Sequence, residues 1–540
     1  VALPTVMTLI ISVGVVELAG QSIIVRRLSS LEDLANVNLL LTDKTGTLTE
    51  NRITVADLTP FIQMSESDIW ARALAASPEA DENPLTAAVR TAAAGHVSNP
   101  LKVVDVIPGD SERKRATAIF QERDARFVVS MGAPQIIEGL CAFDDDVRSR
   151  FRQAVSEAAH GGFRVLALAD TTGTEERNMR LVAVLFLADA LRADAPETVR
   201  FMQEQGIAVK MVTGDSYDVA TEVARTLGLE GRIMRRSELE GDESRRLADA
   251  LPTCGGFAEV MPKDKYEIVR SAMSSRPPHV VAVTGDGVND VPPVKAANVG
   301  IAVTNAVDAL KGTADIVLTS PGIAVIKTAI VESRKIFVRL YNYSVYRISE
   351  SFRLIITVAV IGLLFHTYPL TPVQIILIAL LNDVPIISLA FDRVAVPHSP
   401  AAINVRQRLI LSLLFGLTGI GNSLILLWVA ISIFHAPWAV IQTLFFLKLT
   451  VSGHMLLYVA HTEKPWYRFL PSSQVIWATS LTQAVATALS LLGIFVTAIP
   501  WQYAVFVWIW SFGWMQVSEL AKYANKRMSS ASSVPTGQHA

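Results

Sequence analysis

From Phe469 to Ser518 the chain carries no Asp, Glu, Lys or Arg, and two further charge-free runs extend from Leu354 to Asn382 and from Leu409 to Leu447. A helix crosses ~30 Å of hydrocarbon in about 20 residues, so each run holds one or two membrane spans. The hydropathy pattern predicts helices over about 345–366, 371–391, 408–434, 438–460, 475–498 and 501–521. Short joints between them alternate in charge. Arg393, Arg406 and Arg408 share one, Lys464 and Arg468 another, and Lys522, Lys526 and Arg527 follow the last span, whereas the joints near Thr367, His435 and Ile499 are uncharged. By the positive-inside rule the basic joints, the C-terminus and the charged region 22–340 face the cytoplasm.

Composition agrees with a membrane protein of several domains: 51% of residues are hydrophobic, 18% are charged, and mean hydropathy is +0.37. Lys plus Arg (48) nearly balances Asp plus Glu (50), which leaves no bulk charge for gripping nucleic acid. Cys141 and Cys254 are too few for a disulfide framework or a metal cluster. The opening VALPTVMTLIISVGVVELAG has neither a basic leader nor a cleavage pattern, and reads as the cytoplasmic end of a membrane helix. The chain is therefore expected to be the C-terminal part of a longer protein. Its last dozen residues read as a disordered tail.

Between residues 22 and 340, strands and helices alternate. Val37–Thr42, Val182–Leu187, Val209–Val212 and Val280–Val283 are short apolar runs followed by polar or glycine-rich turns, as at the carboxyl ends of strands in a parallel α/β sheet. Such a sheet gathers its chemistry at those ends. Asp43 follows the first run, in LTDKTGTLT, placed to attack phosphorus from a turn of backbone donors around Thr45 and Gly46. Asp286 and Asp290, in TGDGVND, can hold Mg²⁺ with carboxylate oxygens. Thr213, Gly214 and Asp215 follow VKMV, offering a hydroxyl and an amide to phosphoryl oxygens. Lys265, in MPKDKYEIV, can neutralise the same group. Singly, these are a strand-capping Asp, an acidic turn and a surface lysine.

Together, DKTGTLT, TGD, PKDKYEIV and TGDGVND, in this order and separation, resemble the phosphorylation domain of a P-type ATPase. The resemblance covers essentially the whole chain. It implies an α/β haloacid-dehalogenase-like phosphorylation domain with an inserted α+β nucleotide-binding domain, plus an α-helical transmembrane bundle. Residues 1–21 would end the family's fourth membrane helix. Residues 22–55 and 179–343 would form the phosphorylation domain, 56–178 the nucleotide-binding domain, 344–521 six transmembrane helices and 522–540 a cytoplasmic tail. It further implies Asp43 as the phosphorylated nucleophile, with Lys44 beside it. Mg²⁺ would be bound by Asp43, the Thr45 carbonyl and Asp286, with Asp290 alongside, and Thr213, Gly214, Asp215 and Lys265 would surround the phosphoryl group.

In the insert, Arg164 of GGFRVLALA matches the family's phosphate-contacting arginine, and Asp189 with Arg192 in DALR matches its hinge. SMGAPQ supplies Gly132, and Arg115 with Lys114 can meet phosphates or form a solvated basic turn. Two departures fall on adenine contacts. Gly109 stands where proton pumps of the family carry a phenylalanine, and Met131 where they carry a lysine, so ATP affinity is expected to be reduced.

Asp383 and Arg353 lie inside predicted spans, where charge is costly. One reading is an ion pair between facing helices. The other is a carboxylate that binds and releases a proton, with Arg353 setting its pKa or blocking backflow. NYSVYRISESFRLI and ALLNDVPIISLAFDRV resemble the fifth and sixth membrane helices of plasma-membrane (type III A) proton pumps, which puts Arg353 and Asp383 on their intramembrane arginine and proton-binding aspartate. Arg347, Glu350, Val384 and Pro385 depart from that pattern. VALPTVM resembles the unwound fourth helix, with Pro4 at the break, and lacks the Glu of calcium and sodium/potassium pumps. His435 and His454 read as packing or interfacial residues, and Trp501, Trp508, Trp510 and Trp514 as interface anchors. No Thr-Gly-Glu segment occurs. The family's actuator domain and first three membrane helices are therefore expected on a missing N-terminal region or a separate chain. The resemblance implies ATP-driven proton export across a plasma membrane, with catalytic domains in the cytoplasm; a pump for another cation and a nucleotide-impaired, non-pumping membrane partner are the alternatives.

Overall fold

The computed structural model describes residues 2–397 and 405–532, apart from 80, 82, 98, 111, 123–124, 161, 240–246 and 248. The chain divides into two units, residues 37–327 and residues 1–36 with 328–540.

In the 37–327 unit, seven parallel strands run in the order Ile316–Leu318, Val299–Ala302, Val281–Gly285, Leu39–Thr42, Ala208–Val212, Cys254–Ala258, Arg232–Arg235. The central ones are buried on both faces, which is why they read as unbroken apolar runs. Register aligns their carboxyl ends: Leu41 pairs with Val283, and Thr42 with Met211. The residues that follow, Asp43, Thr213 and Asp286, therefore emerge at one edge.

A second, antiparallel sheet has the order Thr49–Pro60, Arg180–Leu191, Arg164–Thr172, Ala125–Gly132, Arg115–Glu122, Lys102–Ile107. This corrects the reading of Val182–Leu187. The run is a strand, but it pairs antiparallel with Thr49–Pro60 and Arg164–Thr172 in the second sheet. Both faces of this strand are buried, and a continuous apolar run carries no mark of which sheet it joins. Helices Glu66–Ala75 and Pro84–Ala94 contribute to one apolar cluster on this sheet, in which Trp70, Phe120, Met131 and Val182 are buried.

Among the described residues, five helices are long and apolar enough to cross a membrane: Ile323–Phe365, which begins at the end of the first unit, and Pro372–Phe391, Arg406–Ser432, Trp438–Ala460 and Ser473–Leu492 in the other. The first begins well before the expected residue 345 because polar turns continue the helix N-terminally. The second starts at a capping box, in which Gln374 N donates to Thr371 Oγ1 and Thr371 N donates to Gln374 Oε1, with Pro372 at the first helical position. The fifth ends at Leu492 rather than 498, because Gly493 takes a left-handed cap (φ +69°). A further helix, Trp501–Ser532, follows. Its Trp510 and Trp508 donate to Asn422 Oδ1 (2.7 Å) and Thr487 Oγ1 (3.2 Å), so these two rings join helices rather than anchor an interface. Ala2–Gly20 is helical, with Pro4 in its first turn, where proline forfeits no intrahelical bond. Tail residues 533–540 lie outside the described residues.

Candidate functional site: a carboxylate cluster at the sheet edge

Asp43 leaves the strand Leu39–Thr42 with extended backbone, and the chain then turns through Thr45 and Gly46, the latter at φ +70°. Its Oδ1 accepts the Lys44 amide at 2.7 Å, and its Oδ2 meets Lys265 Nζ at 2.7 Å. Lys265 also reaches Asp290 Oδ1 at 2.9 Å. The helix Pro262–Ser274 aims this lysine: Pro262 opens it, and Asp264 turns back to accept the Met261 amide at 2.8 Å while Arg236 holds the same carboxylate. Asp290 Oδ2 accepts the amides of Asp286 (3.2 Å) and Gly287 (3.3 Å). A Cβ on Gly285 would lie 2.4 Å from Asp290 Cβ, so the TGDG turn closes only with glycine there.

Ligand oxygens of Asp43, Asp286 and Asp290 all lie within 4.8 Å of one another. Three carboxylates around one ammonium leave surplus negative charge. Burial pushes the Asp43 carboxyl above its usual value despite Lys265, and burial with the neighbouring carboxylates does the same to Asp286. Burial alone would lower Lys265, but Asp43 and Asp290 outweigh it and hold the ammonium charged. Such an all-oxygen set with unneutralised charge suits a hard divalent cation.

Lys44 turns the other way and pairs with Asp215. The Asp215 amide donates to Thr213 Oγ1 at 3.1 Å, which fixes the Thr213–Gly214–Asp215 turn beside Asp43. Lys44, Thr45 and Asp215 line a cleft of about 760 Å³, which Arg52, Asp189 and Arg164 also line. Asp189 is held by Thr49 Oγ1 (2.6 Å) and the Arg52 amide (3.1 Å).

Arg115, Gly132 and Arg192 are not brought to this cleft. Arg115 and Arg113 both turn onto Glu176, at 2.5 and 3.0 Å. Burial works to raise the Glu176 carboxyl, but hydrogen bonds from Arg115, Thr117 and Ser130 hold it at about 2. Gly132 makes room for the backbone of Lys114 and Arg115, and Arg192 packs against Gly322. Met131 is 2% exposed and belongs to the apolar cluster, which explains how the sheet accommodates it. Glu176 was not identified from sequence; a lone Glu in a loop carries no signal there.

In the helical unit Arg353 does not pair with Asp383. It donates to Glu350 Oε2 (2.5 Å), Ser452 Oγ (2.8 Å) and the Leu449 carbonyl (3.2 Å). Asp383 is exposed, while its neighbour Asn382 is buried and meets His454 Nε2 at 3.0 Å. His454 is thus a helix-joining residue. Lys448, fully buried, was also missed, although it is the charge that ends the run Leu409–Leu447.

The parallel sheet, with nucleophile-competent carboxylates at its carboxyl edge, defines a haloacid dehalogenase-like unit, and the family model for haloacid dehalogenase-like hydrolases matches residues 37–298. A putative cation-transporting ATPase of Methanocaldococcus jannaschii is 36% identical over 96% of this chain and 65% of its own length. A plasma membrane ATPase of Saccharomyces cerevisiae is 32% identical (95% and 56%), and a probable plasma membrane ATPase of Dictyostelium discoideum is 30% identical (95% and 52%). Together with the apolar helices, these matches support a P-type ATPase that resembles the proton pumps. It spans between about half and two thirds of the length of these relatives.

Proposed function

We propose that the chain carries the phosphorylation and transport parts of an ATP-driven cation pump of the plasma membrane, with the proton as its transported ion. The observation that carries this reading is the Asp43–Lys265–Asp286–Asp290 cluster, with the residues that directly follow Asp43, Lys44 and Thr45, lining a cleft that Arg164 also lines. An Asp43 carboxylate oxygen attacks the γ-phosphorus of ATP, the bond to the bridging oxygen breaks, and ADP leaves with the electron pair. Lys265, the Thr213 hydroxyl and the Gly214 amide stabilise the transferred oxygens, and the Lys44–Asp215 pair fixes the turn on the cleft side. Mg²⁺ bound by Asp43, the Thr45 carbonyl, Asp286 and Asp290 would offset charge between carboxylate and phosphate. Arg164 and Asp189 lie along the nucleotide's path. Arg192 acts at the hinge, while Arg115 and Gly132 shape the insert. In the membrane, Asp383 is the carrier carboxylate, and Arg353, paired with Glu350, is the fixed positive charge that limits backflow.

The test is ATP-dependent proton uptake into inside-out vesicles bearing the full-length protein, compared with Asp383→Asn and Asp43→Asn. Uptake lost in both variants, with acid-stable, hydroxylamine-labile phosphorylation lost only in Asp43→Asn, is the expected result. Phosphorylation without uptake in the unaltered protein points to another cation. No phosphorylation at all favours the nucleotide-impaired reading, which Gly109 and the core position of Met131 support.

A further inference from the structure

At the basic end of the helical unit, a cavity of about 50 Å³ opens between the start of Arg406–Ser432, the residues that follow Trp438–Ala460 and the late turns of Trp501–Ser532. Arg408, Thr462, Glu463, Lys522, Asn525 and Lys526 are among the residues that line it. Lys522, 7% exposed, is its fixed cation. The ammonium donates to the carbonyls of Val459 (3.1 Å), Thr462 (3.2 Å) and Lys464 (2.8 Å), and Glu519 lies at 2.9 Å. These carbonyls lie at and just beyond the C-terminal end of Trp438–Ala460, where a cation is favoured, and they occupy all three donors of the lysine. The other two cations are open to a ligand. Lys526 is exposed and has no carboxylate partner among the described residues. Arg408 has one, Glu463 Oε1 at 2.8 Å, but the Glu463 side chain is 70% exposed. An ion pair of that kind is worth little, so the guanidinium can exchange Glu463 for another oxyanion.

Setting Glu519 against Lys522 and Glu463 against Arg408 leaves Lys526 as surplus positive charge, so the cavity suits an anion. Its size and surroundings narrow the choice. It is far smaller than the roughly 300–1,000 Å³ that encloses a whole small molecule, so it takes one phosphate-sized group and leaves the rest of the ligand outside. Leu409 and Ile410, next to Arg408 on the membrane side, are exposed, and so are Leu520 and Tyr523, which flank Lys522 in sequence. Exposed apolar side chains beside a basic cavity between membrane helices are what a lipid with an anionic headgroup meets. We propose that this cavity seats the phosphate of an anionic phospholipid of the cytoplasmic leaflet, with Arg408 and Lys526 as its ligands and Lys522 as the buried charge behind them. Free phosphate offers the same oxygens without the acyl chains that Leu409, Ile410 and Leu520 would meet. The site lies within the helical unit and stands whichever ion the protein carries.

Native mass spectra of the full-length protein, delipidated in a neutral detergent and titrated with phosphatidylglycerol or phosphatidylcholine, read the binding directly. Phosphatidylglycerol is expected to be retained in preference to phosphatidylcholine. Lys526→Gln is expected to weaken that retention about fivefold, and Arg408→Gln by a similar factor. Glu463→Gln, which frees Arg408, is expected to strengthen it. Arg468→Gln, an exposed position at another basic joint, is expected to leave it unchanged. The altered side chains all reach solvent, so the variants are expected to keep the fold, which their thermal midpoints check. Equal retention of the two lipids overturns the proposal, as does a Glu463→Gln protein that binds less. A loss in Arg468→Gln as large as in Lys526→Gln also overturns it, because bulk surface charge would then account for the binding. Inorganic phosphate that displaces phosphatidylglycerol at equal concentration would make the seat one for the free ion and overturn the lipid assignment. Lipid retention needs no turnover, so this result stands apart from proton uptake and from labelling at Asp43.

Discussion

The sheet-edge centre and the membrane centre are built from the same kinds of group with opposite charge surplus. At the sheet edge three carboxylates share one ammonium, Lys265. In the membrane one carboxylate, Glu350, pairs with Arg353, and a second cation, Lys448, is buried with Ser423 as its hydrogen-bond partner. In the first, Asp43, Asp286 and Lys265 are half-buried and reachable from water, and the surplus calls for a mobile divalent cation. The second is shut away among helices, where recruiting and releasing an ion is costly, and its cations are covalently part of the chain. Each also depends on a glycine for close approach: a Cβ on Gly285 would lie 2.4 Å from Asp290 Cβ, and one on Gly419 would lie 2.3 Å from Arg353 Cδ. Access to water therefore decides whether charge is balanced by a ligand or by sequence.

The sharpest way to break this contrast is at Asp43. Asp43→Asn, or chelation of divalent ions, is expected to abolish phosphoenzyme while leaving the thermal midpoint of the membrane helices unchanged. Labelling that survives both would refute a metal-dependent aspartyl nucleophile. Next in size is Arg353→Met, which strands Glu350 in the membrane interior and is expected to cost about 3–5 kcal/mol, read as a lowered midpoint in detergent. Removing the charge of Glu350 as well should recover much of that loss. Gly285→Ala and Gly419→Ala are expected to cost about 1–3 kcal/mol each through overpacking. They should separate in readout, the first slowing phosphorylation and the second sparing it. The smallest effect is expected at Glu176→Gln, which frees Arg113 and Arg115 away from both centres. Because the Glu176 carboxyl is held at about 2, its contribution is present above the ordinary carboxylate value and is lost as pH falls toward 2. Acid unfolding curves of the variant and the unaltered protein should therefore converge at low pH and separate above about pH 4.

Asp43, Asp286, Asp290 and Lys265 were legible because each sits in a short segment whose turn residues advertise a strand end, and Lys265 because its motif opens a helix with Pro262 and Asp264. Val182–Leu187 was legible as a strand and misplaced among sheets, since its pairing partner Thr49–Pro60 is far away in sequence. Arg353 was legible as a buried charge, but its partner was not. Glu350 lies one helical turn away on the same helix, a spacing that sequence allows, and Asp383 lies on another helix whose rotation only packing fixes.

By itself the sequence determined the periods and the punctuation: where charge is absent long enough for a membrane helix, and where an acid follows an apolar strand. These are local properties, written within one turn or one strand. The tertiary structure alone decided which charges share a site. It turned Arg115 onto Glu176, set Lys448 beside Ser423, and left Asp383 exposed, because such partners are brought together by helix rotation and strand order, which no window along the chain contains.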